Sequence, residues 1–162
     1  MTAKDAIKNT MDMCHQILTA YVSDLADADL MLRAVPGMNH IAWQLGHLIV
    51  SEHKMLTDAG FKMPDLPDGF AQSHDKEMAT SDDASKFHKK EQYLAWMEQQ
   101  RSATLALLAA VSDADLDKPT PESMHEYAAT VGAVFSLIGI HEMMHAAQFV
   151  AVRRKLDKPV LI

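Results

Sequence analysis

The 162-residue sequence predicts an all-α fold, a four-helix bundle. Three observations carry that expectation. Apolar residues recur at helical spacing in four long segments, prolines and glycines separate those segments, and no stretch alternates apolar with polar residues as a strand would. The length suits one domain, spanning residues 1–162, with enough interior for a substantial core.

The first helix is expected from about Thr2 to Ala26, with Thr2 as N-cap and Ile7, Met11, Ile17 and Tyr21 among its apolar positions. Pro36-Gly37 breaks the chain. Asn39 then caps a second helix, I-A-W-Q-L-G-H-L-I-V-S-E-H-K-M-L, which Gly60 stops. Residues 61–80 contain Pro64, Pro67 and Gly69 and read as a long connection. A third helix covers roughly Lys86 to Val111. After Pro119 and Pro121 a fourth runs from about Tyr127 to Leu156 and ends before Pro159. The connection between the second and third helices is unusually long for a bundle. A helix of 20 residues spans only ~30 Å, so this connection is able to cross the whole length of the bundle. There is also an internal echo. V-S-D-L-A-D-A-D-L closes the first helix and V-S-D-A-D-L the third, each followed by proline and then by an apolar, His-bearing helix. This reads as two helical hairpins.

Composition narrows the function classes. Apolar residues make up 48% and charged residues 23%, an ordinary globular balance. The net charge of −7 and the lack of a basic run argue against nucleic acid or an anionic membrane as partner. The opening M-T-A-K-D-A-I-K-N-T has no apolar core of a signal peptide, and no apolar run is long enough to span a bilayer. The single cysteine, Cys14, excludes an internal disulfide framework and fits a reducing, cytoplasmic setting; in its helical context it is expected as a small buried hydrophobe. Of the twelve methionines, Met11, Met13, Met55, Met97, Met143 and Met144 lie in helical segments and are expected to fill the core.

Nine histidines remain to be placed. His74, His88 and His125 lie in polar surroundings and are expected to be solvated, while His15, His40 and His53 suit helix surfaces or ends. His141 and His145 differ. They stand four apart in G-I-H-E-M-M-H-A-A-Q-F, on one helix face and roughly 5–6 Å apart at Cβ. The same face carries Val134, Ile138, Gln148 and Val152, so two imidazoles fall within an apolar stripe. Burying an imidazole unsatisfied costs on the order of 1–3 kcal/mol, and a divalent metal that accepts both lone pairs removes the cost. The letters H-E-x-x-H are also those of a zinc peptidase helix, with Glu142 as general base. That reading lacks a third ligand: the offsets that need Gly and His hold Gln148 and Ala151, and no later helix up to Ile162 supplies a Glu. Glu142 also lies off the histidine stripe and is expected to face outward. A ferritin-like di-iron site fails too: it needs Glu-x-x-His on two inward-facing helices, and outside the H-E-M-M-H stretch the pattern occurs only as Glu122–His125, beside Pro121. An upstream third ligand is therefore needed, and His47, mid-helix in an apolar segment, is the best candidate. Gly46 beside it would allow close helix approach. Three neutral imidazoles leave a coordination position open, as catalytic sites do.

These residues resemble the DinB-like (DinB/YfiT) metalloprotein family. The match rests on W-Q-L-G-H-L at 43–48, H-E-M-M-H-A-A-Q at 141–148 and the S-D-A-D-L junction after the third helix. The resemblance covers essentially the whole chain. It implies a four-helix bundle of 1-2-4-3 connectivity, a divalent metal held by His47, His141 and His145, and homodimers. Relatives are often S-transferases or isomerases that use a low-molecular-weight thiol on a small-molecule substrate. In some, an Arg near the end of the last helix holds the thiol, a region occupied here by Arg153 and Arg154. Gln148 is one turn beyond His145, where it either hydrogen-bonds a group on the metal or closes the polar end of the stripe. Zinc or nickel heads the metals expected, with iron also compatible. The competing class is a metal-stabilised bundle without turnover, its site closed by His40, Glu52 or Glu142 as fourth ligand. Metal-dependent hydrolysis would use the same open site.

Overall fold

A computed structural model describes residues 1–161. The helices are α1 (Ala3–Ser23), α2 (Asp27–Leu30), α3 (Ile41–Asp58), α4 (Phe70–Ser73), α5 (Lys90–Ala110), α6 (Asp113–Leu116) and α7 (Val131–Lys155). The four long ones, α1, α3, α5 and α7, are the bundle that the periodicity predicts, and the described residues contain no strand. Pro119 and Thr130 form only an isolated antiparallel bridge.

Capping chemistry sets the helix ends. Thr2 accepts from the Asp5 amide while Asp5 reaches back to the Thr2 N–H, closing a capping box at α1. At α3 the cap is His40 rather than Asn39: its Nδ1 accepts from the Trp43 amide. α7 starts at Val131, four residues later than expected, because Thr130 caps it through the Ala133 amide. α5 likewise starts at Lys90. The first expected helix ends slightly early, at Ser23, and the short α2 follows just beyond its expected end at Ala26. The sequence echo becomes a structural one, since α2 and α6 are both four-residue D-A-D-L helices that follow a long helix.

Hydrogen bonds between helices give their directions. Met11 packs on Gly139, His15 meets Glu142 and Arg153 reaches the Tyr21 carbonyl, so α1 and α7 run parallel. Lys90 bonds the carbonyls of Ser23 and Leu25, Arg101 that of Met11 and Lys4 that of Val111, so α1 and α5 are antiparallel. His145 meets Gln44, while His141 lies against His47, so α3 and α7 are antiparallel. It follows that α3 and α5 are parallel, and residues 59–89 must carry the chain back along the bundle. The crossover that the length of this segment allowed is present. Extensive contacts join α1 to α7, α7 to α3, α3 to α5 and α5 to α1. Two neighbour relations of a 1-2-4-3 order, second with fourth and first with third, are thus present; the most extensive interface joins first and fourth.

The core lies in two parts. One holds Leu18, Val22, Leu45, Ile49, Tyr93, Phe149 and Val152; the other holds Met11, Leu56, Leu108, Val134, Phe135 and Ile138. Each fully buried Leu, Ile or Phe contributes roughly 1.5–3 kcal/mol. Cys14 is buried, as its helical context predicts.

A charged layer lies across the middle of the bundle. Arg101 donates from Nε and Nη2 to the two oxygens of Glu52, both at 3.2 Å, and from Nη2 to Glu142 at 2.8 Å. Thr104 donates to Glu52 at 2.6 Å, and His15 Nδ1 lies 2.9 Å from Glu142. The residues of this layer follow the sequence echo. The register shift that carries Asp27 of α2 onto Asp113 of α6 carries His15 onto Arg101. The shift that carries the first residue of α3 onto that of α7 carries Glu52 onto Glu142.

His74 overturns its expected exposure. It is 1% exposed, lying against Gly46 and ringed by Phe70, Phe87, His88 and Tyr93. Its Nδ1–H donates to the Phe70 carbonyl at 2.8 Å, and its Nε2 accepts from the Tyr93 hydroxyl at 2.8 Å. Tyr93 in turn accepts from the His88 amide. Burial pushes His74 down to about 4 and Tyr93 up to about 12, so both are neutral. Gly46 therefore admits the crossover segment, not a second long helix.

Candidate metal centre

α3 and α7 bring His47, His141 and His145 together. One ring nitrogen from each lies within 4.8 Å of the other two. The Nε2 atoms of His141 and His145 are 3.2 Å apart, and the His47 ring centroid is 5.2 Å from each of theirs. Adjacent turns of α7 supply two rings from one face. α3 supplies the third because it packs antiparallel beside them.

The hydrogen bonds around His145 fix its tautomer. Gln44 is fully buried and donates through Nε2 to the Asn39 carbonyl at 2.6 Å, which leaves its Oε1 to accept from His145 Nδ1–H at 2.8 Å. The Nε2 lone pair of His145 therefore points at the other imidazoles. Trp43 stacks on His47 with centroids 4.8 Å apart and planes 11° from parallel. The indole N–H donates to the Asp75 carbonyl at 2.8 Å, tying the crossover to this ring. Ser51 Oγ lies at the limit of hydrogen bonding, 3.5 Å from His47 Nε2.

The site's electrostatics favour lone pairs over protons. Burial, then the neighbouring His141, push His47 down to about 4. Burial and the charges of His141 and His47 push His145 down to about 3. Burial lowers His141 as well, against the opposing pull of Glu142. All three are neutral near pH 7 and able to donate to a cation. The edge of a tetrahedron built from metal–nitrogen bonds is ~3.4 Å, and the His141–His145 spacing of 3.2 Å is already close to it. The donor set and its spacing fit a divalent ion.

Glu142 is buried, not outward-facing as the helical wheel suggests. It turns away from the triad toward Arg101 and His15. It is thus not available as a peptidase base. Glu52 is committed to Arg101 and Thr104, and His40 to its cap and to the Ser81 carbonyl. None of the three conceivable fourth ligands is free to close the site. A small void of ≈ 10 Å³, room for about one water, lies between His141 and the charged layer.

Three other expected site residues are not brought to the triad. Gln148 is exposed, and its amide reaches only the Met144 carbonyl. Arg153 is completely buried, held by Asp24 and by the Tyr21 and Pro159 carbonyls, so it locks the end of α7 instead of offering a charge to a ligand. Arg154 is exposed on the last turn. Gln44, conversely, belongs to the site although no metal-ligand spacing marks it. Its signal was there: a lone amide inside the apolar run I-A-W-Q-L-G must find partners when buried.

Two of the three histidines, His47 and His141, line a cleft of ≈ 340 Å³ together with Ser51, Met55 and Leu137, with Lys54, Asp58 and Tyr127 at its far end. Among the described residues no helix is long and apolar enough to cross a membrane.

A family model described as the DinB superfamily matches residues 10–149, which include all three histidines. A solved structure, described as the crystal structure of the conserved protein of locus from Enterococcus faecalis, superimposes with a TM-score of 0.73. The alignment covers 98% of this chain and 99% of that one at 13% identity, a likeness of fold alone. No curated protein matches the sequence.

Proposed function

Because the chain belongs to the DinB superfamily, we propose that His47, His141 and His145 hold a divalent metal ion, and that the protein uses it to activate a low-molecular-weight thiol, as an S-transferase or related enzyme. One observation carries this reading: three neutral imidazoles converge, two of them lining an open cleft, while the nearby carboxylates are occupied by Arg101. That arrangement favours an open site over the closed site of a purely structural metal. Zinc or nickel suits the donor set best, and iron is compatible.

A bound divalent cation supplies acidity, lowering the pKa of a coordinated thiol so that thiolate is available at neutral pH. The chain's residues do the rest. Gln44 holds His145 in the tautomer that presents Nε2, and Trp43 fixes the plane of His47. Leu137 and Met55 exclude water from one side of the reacting sulfur. The sulfur forms its bond to an electrophilic carbon, the leaving group departs with the bonding pair, and the thiol proton passes to solvent at the cleft mouth.

Elemental analysis of untagged wild type and His47→Ala tests the ligand set. One metal per wild-type chain and almost none in the variant is expected; equal retention removes His47 from the triad. Metal-dependent conjugation of 2-mercaptoethanol to chlorodinitrobenzene, lost in the same variant, tests the transfer. Metal without any turnover of thiols would favour the non-catalytic bundle. A homodimer in the cytoplasm belongs to the same reading, and sedimentation equilibrium measures the first part of it.

A further inference from the structure

The cleft continues well past the histidines. His47, Ser51, Lys54, Met55 and Asp58 follow one stripe of α3, which carries the trough roughly 16 Å along that helix. Leu137 and His141 of α7 form the opposite wall. Its middle is apolar, made by Met55 and Leu137. Its far end holds the only two charges, Lys54 and Asp58, which pair with each other at 2.7 Å. A self-neutralised pair offers no net charge to a ligand.

Tyr127 stands over that end. It is 49% exposed, yet the loop beneath it is firmly anchored. Met124 and Ala128 on either side are buried, Thr120 Oγ1 donates to the Ala128 carbonyl at 2.6 Å, and His125 Nε2–H donates to the Thr120 carbonyl at 2.8 Å. A large ring is thus held in water on a fixed support. An aromatic left there contributes little to folding and is well placed to cover an apolar guest.

We propose that this trough binds an uncharged alkyl or aryl group of the ligand whose donor atom lies at the triad, with Leu137, Met55 and Tyr127 setting specificity by size. The trough is continuous with the triad through Ser51 and His141, so head and body of one molecule occupy both. The inference rests on the metal–thiol reading above.

The test is a titration of cobalt-loaded protein with straight-chain thiols from ethanethiol to hexanethiol, read from the visible ligand-field bands. Affinity is expected to rise about fourfold per methylene, the increment for moving a CH2 from water into an apolar site. Leu137→Ser and Tyr127→Ala, with cobalt content and helicity checked, are expected to reduce the ratio of hexanethiol to ethanethiol affinity. A flat series in which ethanethiol still binds overturns the trough and leaves the metal–thiol reading standing. A rising series that neither variant alters overturns the placement. No spectral response to any thiol overturns the metal–thiol reading and the trough with it.

Discussion

Arg101 meets Glu52 and Glu142 with its side chain only 5% exposed. Three charges in so dry a place are stabilised by one another, and the same dryness makes the loss of one partner costly. Arg101→Met leaves two buried carboxylates facing each other and is expected to destabilise the fold by about 3–5 kcal/mol, read as a lower urea midpoint. Asp82→Asn makes the contrast. Its partner is Arg33, but Asp82 is 73% exposed, so the change should cost less than ~1 kcal/mol. If the two variants melt alike, the charged layer is not what holds the helices in register. His141 and His145 were legible because they share a helix, and helical spacing is local. Glu142 was not, because its direction depends on Arg101, 41 positions away. The burial of His74 is not legible for the same reason: its neighbours are polar in sequence, but its burial is set by Gly46 and Tyr93.

Among the elements, the crossover from α3 to α5 depends on one close approach. A Cβ at Gly46 would lie 1.9 Å from His74 Cδ2, and the His74 ring is bonded at both nitrogens, so it has nowhere to turn. Gly46→Ala is therefore expected to displace the segment around α4 while the long helices stay formed. Hydrogen–deuterium exchange would show this as faster exchange across residues 70–88 with α1 unchanged; unchanged exchange there would mean the crossover relaxes without cost. Trp43 bonds this same segment at Asp75 and stacks on His47, so loosening it should also weaken metal retention. The four long helices were legible because their apolar periodicity and breaks are local signals. Their starts were less so. The N-caps His40 and Thr130 are not marked by the sequence pattern, and the short α2 and α6 show in it only as the repeated junction motif.

Across the whole molecule, the extensive interfaces pair α1 with α7 and α5, and α3 with α5 and α7. None of them joins the two long helices of one hairpin. The long helices of each half thus pack chiefly on those of the other, like clasped hands rather than stacked plates. Neither half owns a core, so neither should persist as a folding intermediate, and unfolding should be all-or-none. The cost is kinetic: contacts between distant parts of the chain must form before any hairpin is rewarded, which slows folding relative to a simple up-and-down bundle. Cleavage in the crossover, near Lys76, is expected to yield two pieces that are each largely unstructured alone and regain helicity when mixed, as circular dichroism would record. A helical, cooperatively melting fragment would show that one hairpin is autonomous. The triad sits on the seam between these halves, with His47 from one and His141 and His145 from the other, so its ligand set exists only once the two have come together.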